Sequence, residues 1–230
     1  MDETGTRLAQ VRRRVADAAV AAGRAPADVQ VLLASKTMPA AMIAAALTAD
    51  DDRDAGLARV LLGENRVQEL TAKAPELAHL SPVWHVIGPL QSNKVNAALR
   101  WASCVQSVAS LDLAQRLAQR RPGLDVMVQV NVSGEPTKHG VAPEQAVDLA
   151  LAVAAVDGLR LVGLMTIGAN SEDAGLVRAG FAQLRELRDT IAAAVPSATG
   201  LSMGMSRDLE AAIGEGATLV RIGSAVFGAR

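Results

Sequence analysis

Apolar positions along this chain follow two periods that take turns, one near 3.6 residues and one of short continuous runs. Leu8, Val11, Val15 and Ala18 or Ala19 fall on one helical face over 6–22, and Gly23 ends the pattern, which predicts an amphipathic helix ahead of everything else. The run VQVLLAS over 29–35 is Val/Leu-rich, as a strand buried on both faces is, and it stops at Lys36. Pro39 suits the first turn of a helix, where its missing N–H would have no partner, and a helical stretch follows to 47. The alternation then repeats. Strands are predicted over 59–63, 83–87, 101–108, 124–132, 159–166, 201–203 and 218–223, and helices over 64–78, from Gln91 onward, and over 111–119, 143–156, 174–195 and 208–214.

Strand and helix alternating about eight times, with connections too long for hairpins, implies parallel strands joined by right-handed crossovers. In a chain of 230 residues the economical closure is an α/β (β/α)8 TIM barrel with an extra N-terminal helix. An open doubly wound sheet is the alternative, but no GxGxxG follows the first strand and no reversal of strand order is evident. No linker rich in Pro, Gly or Ser interrupts the pattern, so one domain over 1–230 is expected.

Composition narrows the picture. Half of the residues are apolar but only 2% are aromatic, so the core must be built from Ala, Leu, Val and Ile. A net charge of −1, with both signs interspersed, argues against nucleic acid or an anionic membrane as the main partner. The run Arg12, Arg13 and Arg14 reads as a solvated helix face relieved by Asp17, and Asp50, Asp51, Asp52 and Asp54 read as an exposed loop or helix end. A single cysteine, Cys104, excludes an internal disulfide, and its apolar flanks favour a buried structural thiol. The N-terminus lacks the apolar region of a secretion signal, and no stretch reaches the ~18 apolar residues of a membrane span, so a cytoplasmic protein is expected.

In a barrel the residues after each strand gather at one rim. Here they are Lys36, Asn65 with Arg66, His85, Asn131, Met165 with Thr166, Ser202 to Ser206, and Arg221 to Ser224. The set contains no cluster of carboxylates and no Cys/His group with metal spacing, which disfavours a metal site or a glycosidase-type carboxylate pair. The loops SMGMS and RIGS follow strands seven and eight, where barrels commonly bind phosphate. Gly204 and Gly223 would let the backbone approach an anion, Ser202, Ser206 and Ser224 can donate hydroxyls, and Arg221 adds positive charge. A lysine in a dry pocket can form a Schiff base with an aldehyde, so Lys36 opposite a phosphate cup suggests pyridoxal 5'-phosphate, which carries both groups.

The segments ASKT, LLGENRVQEL, WHVIGPLQSNK, VNVSGEPTKHGV, GLMTIG and LSMGMSRDLEAAIGEGATLVRIGSAVFG together resemble the YggS/PROSC family of pyridoxal-phosphate homeostasis proteins, over nearly the whole chain. The resemblance implies the fold of the N-terminal barrel of alanine racemase. It implies that Lys36 carries the cofactor, that Ser202, Met203, Gly204 and Ser206 with Gly223 and Ser224 hold its phosphate, that Arg221 lies near its ring, and that Asn65, His85 and Met165 surround it. The family often has an aromatic residue where this chain has Arg66 and a polar one where it has Pro89.

The rival class is a pyridoxal-phosphate-dependent amino-acid racemase. Two-base racemisation needs an acid/base group on each face of the substrate, and the resembled racemase takes its second from a tyrosine of an extra domain. This chain contains no tyrosine and ends soon after its eighth strand, so a binding protein without turnover is expected. The resemblance implies a part in homeostasis of the cofactor, with apo PLP-dependent enzymes as recipients, and a monomer is expected.

Overall fold

A computed structural model of the chain describes residues 3–54 and 56–228. Its parallel strands are β1 (Gln30–Ala34), β2 (Leu61–Glu64), β3 (Trp84–Val86), β4 (Ala102–Val108), β5 (Leu124–Gln129), β6 (Leu159–Met165), β7 (Gly200–Ser202) and β8 (Leu219–Ile222). They pair in chain order, and β8 returns to β1 with Leu32 opposite Arg221, so the sheet is a closed barrel, as expected. The helices are α1 (Glu3–Ala21), α2 (Ala40–Ala49), α3 (Val67–Leu77), α4 (Val95–Leu99), α5 (Leu111–Arg120), α6 (Pro143–Ala154), α7 (Ala174–Ala194), α8 (Leu209–Gly214) and α9 (Ser224–Phe227). The sequence pattern predicts all but α9, which is too short to show a period.

Pleating sorts each strand into two faces, and the two cores follow from that. On β1, Val31 and Leu33 point outward into the large helix-facing core with Ile43, Leu47, Leu62 and Leu70, all buried. Leu32 and Ala34 point inward, where Leu32 meets Leu61, Ile87 and Leu219. The opposite interior wall is softer, made of Cys104, Met127 and Met165. Cys104 is buried and its thiol is pushed well above the usual range by desolvation, which fits the structural role expected of it.

Two charge runs depart from expectation. Asp50 is buried rather than exposed: its carboxylate accepts from Arg12 Nε at 2.6 Å and from the Val60 N–H at 2.8 Å. Helix α1 packs on α2, so the α2 C-terminus brings that carboxylate under Arg12, and the pair satisfies two buried groups at once. Arg14 is likewise engaged, with Glu210 on α8 at 2.8 Å. The arginine run therefore ties α1 to the barrel instead of merely solvating it. Asp51 remains exposed, and the Asp52 side chain lies outside the described residues.

Candidate cofactor site at the barrel mouth

The inward alternation of β1, Leu32 then Ala34, continues one step past the strand to Lys36. There the chain reverses. Thr37 adopts a left-handed backbone conformation, φ 64°, and the Met38 N–H closes the turn on the Ser35 carbonyl at 3.0 Å. A buried ionic group lies directly behind it. Lys73 Nζ donates to the Ser35 carbonyl at 2.8 Å, to Glu64 Oε1 at 2.7 Å and to Glu69 Oε2 at 2.8 Å, and the Thr37 N–H donates to the same Glu69 oxygen at 2.5 Å. Desolvation raises the Glu64 carboxyl above its ordinary range, with Lys73 and Ser35 opposing. Sequence reasoning missed this group, although Glu69 and Lys73 four apart on one helix were its visible trace.

Above the strand ends opens a cavity of about 880 Å³. Of the anticipated residues, Lys36, Asn65, Met205, Ser206, Arg221, Gly223 and Ser224 line it. The others do not. Met165 belongs to the barrel interior and Met203 to the helix-facing core. Ser202 and His85 join the hydrogen-bonded chain that supports Arg221. Gly204, at φ 91°, lies where an added Cβ would come within 2.5 Å of the Ala212 Cβ, so helix α8 rather than an anion explains the glycine. The long β6–α7 connection, from Ile167 to Glu172, and Ala174 at the start of α7 supply a wall that the sequence did not reveal, and Lys138 faces it with its amine held by Glu135 at 2.6 Å and the Gly168 carbonyl at 2.7 Å.

The two cations of this mouth differ in what they lack. Lys36 makes no side-chain hydrogen bond or ion pair among the described residues, and Lys73 is fully engaged elsewhere. Arg221 is 5% exposed, yet its donors reach only neutral acceptors, Ser202 Oγ at 2.7 Å and the Thr166 carbonyl at 2.5 Å. Burial lowers its pKa to about 10, with Asp208 opposing, so the guanidinium is charged at neutral pH with no carboxylate bonded to it. The Ser202 hydroxyl in turn donates to Gln106 Oε1 at 2.6 Å, and the Gln106 amide nitrogen meets His85 Nδ1 at 2.7 Å. Burial lowers the His85 pKa to about 4, against the pull of Asp125, so the imidazole is neutral and its Nδ1 is free to accept.

The turns after β7 and β8 form the cavity wall beside β1. The Ser206 hydroxyl accepts from the Ala225 N–H at 3.3 Å and from the Ser224 hydroxyl at 3.4 Å, which ties the SMGMS loop to the turn that starts α9. An added Cβ at Gly223 would lie 3.3 Å from the Ala34 carbonyl, so that turn sits close against β1. No group of His, Cys, Asp or Glu among the described residues is placed to hold a metal ion. An amine without a partner, a buried guanidinium without a counter-charge and a Gly/Ser turn on one cavity fit a ligand that carries both an aldehyde and a phosphate.

A closed parallel barrel with a lysine at the exit of β1 and a Gly/Ser turn after β8 defines the class, and residues 8–230 match the model of the family described as "Alanine racemase, N-terminal domain". The chain is 47% identical to the "Pyridoxal phosphate homeostasis protein" of Pseudomonas aeruginosa, over 100% of this chain and 97% of that one, and 40% identical to the protein of the same name in Escherichia coli K12, over 100% and 98%. It belongs to the family of pyridoxal phosphate homeostasis proteins. Among solved structures, PipY of Synechococcus elongatus, determined with PLP bound, superposes with a TM-score of 0.80 at 32% identity, covering 98% of this chain and 100% of that one. No helix among the described residues is long and apolar enough to cross a membrane.

Proposed function

We propose that this barrel binds pyridoxal 5'-phosphate, attaches it through Lys36 and serves cellular homeostasis of that cofactor, one domain carrying the whole site. The observation that supports it most is the pairing, in one cavity, of the free Lys36 amine with the Ser206, Gly223 and Ser224 turn. The cofactor supplies an electrophilic aldehyde carbon and a phosphate. The chain supplies an amine at one end, hydroxyls at the other, and the fixed charge of Arg221 between the barrel interior and the mouth. Ser206, Gly223 and Ser224 are the residues we assign to the phosphate, and Asn65 and Arg221 to the rest of the ligand, with Ser202 and His85 acting through Arg221.

Turnover has little to draw on. Arg221 gives up no proton at neutral pH, so this wall offers no acid to a ring nitrogen. Lys138, the other amine on the cavity, is held by Glu135 and a carbonyl, and the 230 residues contain no tyrosine. We therefore read the protein as a carrier rather than a racemase, with apo PLP-dependent enzymes as recipients.

Purified protein mixed with the cofactor should develop a visible absorbance band that Lys36→Ala abolishes. Borohydride reduction and peptide mapping should place the label on Lys36, and neither hand of alanine should racemise. Label on Lys138 or a colourless mixture would refute attachment at Lys36, and steady racemisation would favour the enzyme.

A further inference from the structure

We propose that Glu69 and Lys73 are positioning residues for Lys36, holding the left-handed turn at Thr37 that aims the lysine amine into the cavity. This rests on the reading of Lys36 as the attachment point.

The turn needs a restraint. Thr37 is β-branched and sits at φ 64°, a conformation such residues rarely adopt without compensation from their surroundings. The restraints bracket Lys36 on both sides. Ahead of it, the Ser35 carbonyl accepts from the Met38 N–H at 3.0 Å and from Lys73 Nζ at 2.8 Å. Behind it, the Thr37 N–H donates to Glu69 Oε2 at 2.5 Å. Lys36 thus lies between two anchored peptide groups, and one amine, Lys73, connects both anchors because it also binds that Glu69 oxygen at 2.8 Å.

The cost falls where a purely structural pair would not place it. The Glu69 side chain is 21% exposed and could reach solvent, yet it turns inward to the backbone of the Lys36 loop. Against partial desolvation, its bonds to Lys73 and Thr37 keep its carboxyl below the ordinary range, so it stays ionised and keeps accepting. Lys73 spends all three of its protons on Ser35, Glu64 and Glu69, which leaves none for a ligand. Attachment joins Lys36 Nζ to the aldehyde carbon and releases the aldehyde oxygen as water. With the phosphate fixed at the turn after β8, the rate of that joining depends on where the amine stands, and a misplacement of about 1 Å is worth orders of magnitude in such reactions.

The test compares wild type with Glu69→Ala, a change at a partly exposed position. Two readouts separate placement from binding: the rate at which the Lys36 band appears with pyridoxal 5'-phosphate, and the affinity for an analogue bearing an alcohol in place of the aldehyde. Glu69→Ala should slow band formation about tenfold while analogue affinity stays within about twofold, because the phosphate turn is untouched. Glu69→Gln, whose amide oxygen can still accept from the Thr37 N–H, should recover most of the rate. Band formation at the wild-type rate in Glu69→Ala would overturn the proposal, as would a parallel loss of analogue binding. Absence of any band in wild type would instead sink the attachment reading itself.

Discussion

Two buried cations stand within the same barrel and are held in opposite ways. Lys73, behind β1 and β2, is surrounded by two carboxylates and a carbonyl, all within 2.8 Å. Arg221, beneath the mouth on β8, has a hydroxyl and a carbonyl but no carboxylate. A buried charge that is fully paired is part of the scaffold, since nothing remains for it to bind. A buried charge held by neutral groups keeps its field for whatever anion enters the cavity it faces. The difference separates scaffold from site more sharply than exposure does, because both side chains are almost inaccessible.

The largest effect should come from breaking the paired cation. Lys73→Met removes three charge-assisted bonds and leaves Glu64, already lacking a partner for Oε2, as a buried carboxylate without its cation. Such a loss costs about 3–5 kcal/mol, read by urea unfolding of the ligand-free protein at neutral pH. Arg221→Met should do the reverse. Ligand-free stability should change by no more than ~1 kcal/mol, since an uncompensated buried charge is removed along with two hydrogen bonds. Affinity for the phosphate-bearing cofactor should fall about tenfold to a hundredfold, the equivalent of a lost hydrogen bond to a charged group. Equal stability losses in the two variants would erase the distinction.

The same contrast explains what could be read from the chain alone. Strand order, the eightfold alternation and the position of Lys36 were legible because each depends on local periodicity and on where a strand ends. Ser206, Gly223 and Ser224 were legible for the same reason, being loop residues at known strand exits. Asp50 and Lys73 were not, because nothing in a run of aspartates or a helical lysine tells which of them a neighbouring element will cover. Met203 and Gly204 were assigned to the cavity by adjacency in sequence, and pleating turns Met203 into the helix-facing core while Gly204 packs on α8. The wall from Ile167 to Glu172 lies in a connection whose path no local pattern encodes.

A smaller effect tests the neutral side of the comparison through pH. The ordinary histidine value of 6.5 falls to about 4 at His85 in the fold. Between those values the unfolded chain takes up a proton that the folded barrel refuses, so the contribution is complete above 6.5 and is lost as pH falls toward 4. Unfolding free energy should drop by on the order of 2 kcal/mol through this group, and His85→Gln should flatten that part of the profile. Measuring urea midpoints for both proteins at about pH 7 and about pH 4.5 isolates it. An unchanged slope in the variant would mean that the imidazole already titrates freely, and the chain leading to Arg221 would then carry a charge of its own.

The smallest expected effect is the most discriminating. The Ser202 hydroxyl accepts from Arg221 at 2.7 Å and donates to Gln106 at 2.6 Å, so it links the guanidinium to the neutral chain that ends at His85. Ser202→Ala takes away that link but leaves Arg221 its bond to the Thr166 carbonyl. If neutral groups merely orient the arginine, the ligand-free protein should lose about 1 kcal/mol, an ordinary hydrogen bond, and cofactor affinity only a few-fold. A loss as large as that of Lys73→Met would show that Ser202 carries the charge burden carried by the carboxylates on the other side of the barrel. Arg221 would then be scaffold, and Asn65 alone would be left to face the part of the ligand beyond its phosphate.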